Sequence, residues 1–155
     1  MKKLEQEDVL LVFDRYYAYS IKGETRNSRA GKKASRVHKL RSDTPLPPQQ
    51  VVLNVSKNKI QLIEIICDQL IEKVQERQQK SQKKPEHVIR NTLVVTSSHP
   101  VPIEVCKGII IHREDMRTTH EEADVILAQQ MVTEAPNRDC IKVLCDDTDV
   151  FVLLV

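Results

Sequence analysis

The run Cys140-Ile-Lys-Val-Leu-Cys-Asp146-Asp147-Thr148-Asp149-Val-Phe-Val-Leu-Leu-Val155 sets three aspartates between two short apolar segments rich in valine. Apolar runs this short read as buried strands of a parallel sheet. In open α/β sheets, ligands bind beyond the carboxyl ends of the strands. Asp146, Asp147 and Asp149 therefore fall where such a fold does its chemistry. Neighbouring carboxylates repel one another unless a cation lies between them. Their hard oxygens select Mg²⁺ or Mn²⁺.

The rest of the chain supplies the alternation of strands and helices that such a sheet needs. Residues 9–13 (Val-Leu-Leu-Val-Phe) read as a buried strand, with Asp14 at its carboxyl end. Residues 20–29 have helical character, and Gly31 interrupts it. Residues 42–50 form a proline-rich linker. From Ser56 the period becomes helical: Ile60, Ile63, Ile66, Cys67, Leu70, Ile71 and Val74 make an apolar stripe on a helix running to about Gln79. Residues 80–87 read as a polar loop. Strands follow at 92–96 and at 105–111, the latter with Gly108 inside it. A helix runs from Thr119 to about Glu134, a turn occupies 137–139, and the two strands around the aspartates close the chain. This order predicts a single α/β domain over 1–155, a three-layer, mainly parallel sheet with flanking helices.

Charge is segregated along the chain. The stretch 15–41 is dominated by lysine and arginine, with Glu24 its one acid, whereas acids outnumber bases over 113–149. A basic arm and an acidic pocket in one domain suit a polyanion on the arm and a cation in the pocket. A solvated basic helix with ordinary surface acids is the plainer reading. No apolar run approaches the length of a membrane span, and the first residues do not read as a signal peptide. Cys67, Cys106, Cys140 and Cys145 show no metal-binding spacing, and read as reduced thiols of an intracellular protein.

Three groups of acids distant in sequence occupy equivalent places: Asp14 after the first strand, Glu121, Glu122 and Asp124 in the first turn of a helix, and Asp146, Asp147 and Asp149 after a later strand. A parallel sheet brings such places to one edge. One or two divalent ions held there would polarise a phosphoryl oxygen and supply a hydroxide. Each acid also has a structural reading. Thr119-His-Glu-Glu122 fits a capping box, acids favour helix N-termini, Asp146 and Asp147 suit a turn, and Asp14 suits an N-cap. Two residues apart on a helix, Glu122 and Asp124 lie about 200° from each other, so both face one ion only through water or a distorted first turn.

In order, Val12-Phe-Asp14, the series Lys22, Arg26 and Arg29, Glu122-Ala-Asp124 and Asp147-Thr-Asp149 resemble the PIN-like nuclease domain of the flap-endonuclease and XPG group. The resemblance covers residues 9–29 and 118–155, and only loosely 45–111. It implies a Mg²⁺-dependent, structure-specific nuclease acting on branched or flapped DNA, or on RNA as some relatives do, in the nucleus rather than the cytoplasm. It makes Asp14, Glu122, Asp124, Asp147 and Asp149 the metal ligands, with Glu121 an alternative to Glu122. Lys22 and Arg29 become the phosphate-steering cations, and Arg26, Lys32, Lys33 and Arg36 further nucleic-acid contacts. The family has an earlier strand with its own aspartate and continues past the Asp-x-Asp motif. By that standard the domain reads as truncated at both ends. The alternatives are a catalytically inactive nucleic-acid-binding remnant, with Tyr16, Tyr17 and Tyr19 available to stack on bases, and an interaction module built on the 60–74 helix.

Overall fold

The computed structural model describes residues 8–16, 36–43, 45–83, 91–145 and 149–153, with backbone only at 149 and 151. Four strands form one mixed sheet in the order β1-β2-β3-β4. They are β1 (Val9–Val12), β2 (Leu93–Thr96), β3 (Ile103–Cys106) and β4 (Ile109–His112). The helices are α1 (Gln49–Leu53), α2 (Ser56–Gln82), α3 (Ala123–Glu134) and α4 (Asp149–Leu153). β1 and β2 are parallel, Val9 opposite Leu93 and Val12 opposite Thr96. Their connection contains α2, as a parallel crossover requires. β2–β3 and β3–β4 are antiparallel.

The α/β class expected from the sequence is therefore present, but the sheet is mixed rather than mainly parallel. Two local features cause the difference. The expected strand at 105–111 is two strands of a hairpin, folded at Lys107-Gly108 with φ of 51° and 72°. Both residues have the left-handed backbone that a two-residue hairpin turn needs. The second feature is the C-terminal region. Residues 140–145 carry no regular structure, and 149–153 form helix α4 in place of the expected strand. An apolar run becomes a strand only with a ladder partner. Among the described residues none pairs with 140–145, whose Leu144 is 97% exposed. α4 packs on α3 instead and buries Val150.

β2 lies between β1 and β3, and all four of its residues are buried. Alternate side chains point to opposite faces. Leu93 and Val95 join Val105, Cys67 and Ile71 in a core beneath α2, flanked by Phe13, Ile63, Leu70, Val74 and Ile103. Each such side chain fully buried contributes about 1.5–3 kcal/mol. Most of the expected apolar stripe of α2 thus faces the sheet, while Ile66 points out, 44% exposed. Cys67 is a core residue as expected, and burial pushes its thiol up to about 11. On the other face Thr96 meets Gln130 of α3 in a buried side-chain pair, with Oγ1 at 2.8 Å from Nε2 and 3.0 Å from Oε1. The linker at 42–50 runs into α1, which buries Val52.

The apolar stripe of α2 passes into a stripe of glutamines at 75, 78, 79 and 82, again one helical face. They hold the hairpin turn. Gln75 and Gln79 each donate to the Gly108 carbonyl at 3.1 Å, and the Gly108 N–H donates to Gln78 Oε1 at 2.7 Å. Gln82 donates to the Lys107 carbonyl. A Cβ at Gly108 would stand 2.5 Å from Gln79 Cγ, at φ +72°. Gly108→Ala is expected to cost about 1–2 kcal/mol, read in thermal melting as a fall of roughly 2–8 °C in Tm. An unchanged Tm would show that the turn is not constrained in this way.

Candidate metal and nucleic-acid site

Asp14 stands two residues beyond β1, half-buried. Its Oδ1 accepts the N–H of Ala123 at 2.9 Å, and the Tyr16 hydroxyl lies a long 3.4 Å from Oδ2. Ala123 is the first residue of α3 and sits between Glu122 and Asp124. Asp14 therefore caps, from 109 positions away in sequence, the helix that starts between the other two acids. This changes how α3 begins. Glu122 is the N-cap with extended backbone (φ −87°, ψ 130°) and makes no side-chain cap bond. The capping box expected at Thr119–Glu122 does not form, because the helix begins only at Ala123 and Glu122, not Thr119, stands at its N-cap. The 200° conflict between Glu122 and Asp124 also disappears, since only Asp124 lies on the helix.

A buried arginine holds this junction together. Arg15 is 2% exposed. Its guanidinium donates to the carbonyls of Ser97 (2.8 Å), His99 (2.7 Å), Thr118 (2.6 Å) and His120 (3.2 Å). Its own N–H donates to the Glu121 carbonyl at 2.7 Å. The end of β1, the loop after β2 and the approach to α3 are thus tied at one point. The sequence placed Arg15 at the head of a solvated basic arm. It is instead turned inward, and Arg15 lies next to Asp14 with no local signal of burial. Tyr16, considered as a stacking residue, has its ring beneath the Lys59 ammonium, 5.2 Å from the centroid. With Leu53, Leu62 and Ile63 these two line a pocket of about 270 Å³.

Among the sequence-predicted ligands, Asp14, Glu122 and Asp124 are brought to one junction. Glu121 is half-buried there, engaged through its carbonyl. Asp149 opens α4, which packs on α3, so the Asp149-bearing helix adjoins the helix that carries Asp124. Asp146 and Asp147 lie outside the described residues, as does the side chain of Asp149. Lys22, Arg26, Arg29, Lys32 and Lys33 also lie outside them, with Tyr17 and Tyr19. Arg36 is exposed, and its carbonyl accepts from the buried Asn58 of α2 at 3.2 Å. Asn58 and Gln61 fasten residues 36–40 to α2: the N–H groups of His38 and Leu40 donate to Asn58 Oδ1 at 2.9 Å and Gln61 Oε1 at 3.1 Å.

Among the described residues no three His, Cys, Asp or Glu side chains come together as a metal-binding group. Asp14 keeps acceptor capacity, since an ionised carboxylate offers about four lone-pair sites. An all-carboxylate donor set suits Mg²⁺. Among the described residues, no helix is long and apolar enough to cross a membrane. The chain matches no family model, no curated protein and no solved structure.

Proposed function

We propose that this chain is a PIN-like, divalent-metal-dependent nuclease domain that hydrolyses phosphodiesters in branched or flapped DNA, or in RNA. The observation that carries the reading is the Asp14–Ala123 bond, which joins the strand-end aspartate to the backbone between Glu122 and Asp124. Sequence order alone put Asp14 and Ala123 109 positions apart. Support also comes from the parallel β1–α2–β2 unit, with Asp14 beyond the carboxyl end of β1, where α/β sheets bind ligands. In this reading Asp14, Glu122, Asp124, Asp147 and Asp149 hold one or two Mg²⁺ or Mn²⁺ ions. Bound there, the metal supplies Lewis acidity toward a phosphoryl oxygen. Lys22 and Arg29 hold the scissile phosphate and offset its charge. Arg26, Lys32, Lys33 and Arg36 extend the contact along the backbone.

The test is incubation with flapped and hairpin DNA, with Mg²⁺ or Mn²⁺, against an Asp147→Ala control. Cleavage is expected only for the unaltered chain. Equal background in both sinks the enzymatic reading.

One observation favours a second reading, binding without turnover: Asp14 already spends an oxygen on the α3 N-terminus. DNA affinity then falls steeply with salt, and reversing the charge at Lys22, Arg29, Lys32 and Lys33 together flattens that dependence. Affinity indifferent to both treatments removes the binding reading.

A further inference from the structure

Residues 36–40 lie as a strap along the first turns of α2, held there by two amide side chains. Asn58, fully buried, accepts the His38 N–H and donates to the Arg36 carbonyl. Gln61 accepts the Leu40 N–H, and its Nε2 donates to the carbonyls of both His38 (2.9 Å) and Lys57 (3.1 Å). That shared nitrogen sets the strap backbone beside the turn that bears Lys57. Side chains along the strap then alternate: His38 and Leu40 are half-buried, whereas Val37, Lys39 and Arg41 are exposed. Lys57 is exposed as well. Among the described residues, no salt bridge engages Lys39, Arg41 or Lys57. Over 36–63 the one acid is Asp43. The first turn of α2 also holds no acid, although the helix dipole favours one there; it holds Lys57 and Lys59. Folding alone is better served by the opposite arrangement, and sequences break such local rules at functional sites.

We propose that the strap and the first turn of α2 form one surface that binds the phosphate backbone of a nucleic-acid strand through Lys39, Arg41 and Lys57, without regard to base sequence. This deepens the nuclease reading and rests on its nucleic-acid substrate, not on its metal. Cations on a strap already fixed by Asn58 and Gln61 lose less freedom on binding than cations on a loose arm. The surface also leads toward the candidate site. Lys59, two residues beyond Lys57, lies over the Tyr16 ring, and the Tyr16 hydroxyl lies 3.4 Å from Asp14 Oδ2. A strand held on the strap is thereby aimed at the acid that ends β1. An anionic membrane attracts lysine and arginine too, but that attraction depends on charge near the surface and needs no pinned backbone. The two amides and the path to Asp14 favour the phosphodiester chain.

Fluorescence anisotropy of a labelled single-stranded oligonucleotide, in a chelator and across a range of salt, tests this on the full chain. Lys39→Gln, Arg41→Gln and Lys57→Gln together are expected to weaken binding roughly tenfold at low salt. They should also flatten the plot of log affinity against log salt by about 2, at about 0.7 per cation on single strands. Two oligonucleotides of unrelated sequence should lose equally. Lys73→Gln, Lys80→Gln and Lys83→Gln together remove the same charge toward the other end of α2, and are expected to leave affinity within about twofold. All six side chains are exposed, so circular dichroism and Tm should be retained in both variants. A localised loss in a chain that cleaves no flapped substrate supports the surface and removes the nuclease reading. If the chain binds and the strap variant binds as tightly, the proposal falls and the nuclease reading stands. A chain that binds no nucleic acid ends both. Equal losses in the two variants, or competition by phosphatidylserine vesicles as effective as by nucleic acid, overturn the proposal.

Discussion

Arg15→Met is expected to remove a large share of the stability of the fold. The side chain keeps its length and apolar stem, so the loss isolates the guanidinium. Four carbonyls, from Ser97, His99, Thr118 and His120, lose their donor at once. A hydrogen bond to a charged group contributes about 1.5–3 kcal/mol, and a buried acceptor left unmade costs about 1–3 kcal/mol. Even with water reaching some of these groups, the sum is at least roughly 4 kcal/mol, against a typical total of about 5–15 kcal/mol. Arg15→Lys retains charge but not the planar fork, and reaches only part of the set. Its expected loss is intermediate. Urea unfolding followed by circular dichroism reads both. If Arg15→Met lies within about 1 kcal/mol of the unaltered chain, the tie is not what holds the β1–α3 junction.

The same residue shows where the sequence is legible and where it is not. α2 was readable because its signal is periodic: Ile63, Cys67, Leu70, Ile71 and Val74 recur at helical spacing and face the core. β1 and β2 were readable because each is a short apolar run, and each has the other as its ladder partner. Lys107-Gly108 was not, since a single glycine inside an apolar run reads equally as a flaw in one strand or a turn between two. Its identity as a turn depends on Gln75, Gln78 and Gln79, a helix's breadth away in space. The runs at 140–145 and 149–153 show the converse error. Their composition suits strands, but a strand is defined by its partner, and composition cannot name one. At the candidate site the residue types were legible and their geometry was not. That acids at 14, 122 and 124 share one junction follows from the Asp14–Ala123 bond. That Glu122 escapes the helix, while Arg15 turns inward and not into a basic arm, are tertiary facts with no periodic trace.

Arg113→Met is expected to cost about 3 kcal/mol near neutral pH, the scale for removing one partner from a largely buried ion pair. Arg113 is the meeting point of three elements. It reaches Glu104 on β3 at 2.6 Å, Asp115 at 2.7 Å and Glu134 at the end of α3 at 2.7 Å. The side chains of Glu104 and Glu134 are only 15% and 12% exposed, so removal of the guanidinium leaves them poorly solvated and close together. Arg138 stays on Glu134 at 3.0 Å and limits the damage. The pH dependence distinguishes this from a mere packing defect. The Arg113 bond holds the Asp115 carboxyl below its ordinary value despite some burial. At Glu134 burial pushes the carboxyl up, but the bonds from Arg113 and Arg138 outweigh it and leave it lowered. A carboxyl lowered in the folded state adds stability above its unfolded value, about 4, and loses it as pH falls through the folded one. The gap between Arg113→Met and the unaltered chain should therefore be flat from about pH 5 to pH 8 and narrow below about pH 4. Denaturant midpoints across that range measure it. A gap that persists undiminished into acid would mean that the methionine disturbs packing alone, and that the ion network linking β3 to α3 contributes nothing of its own.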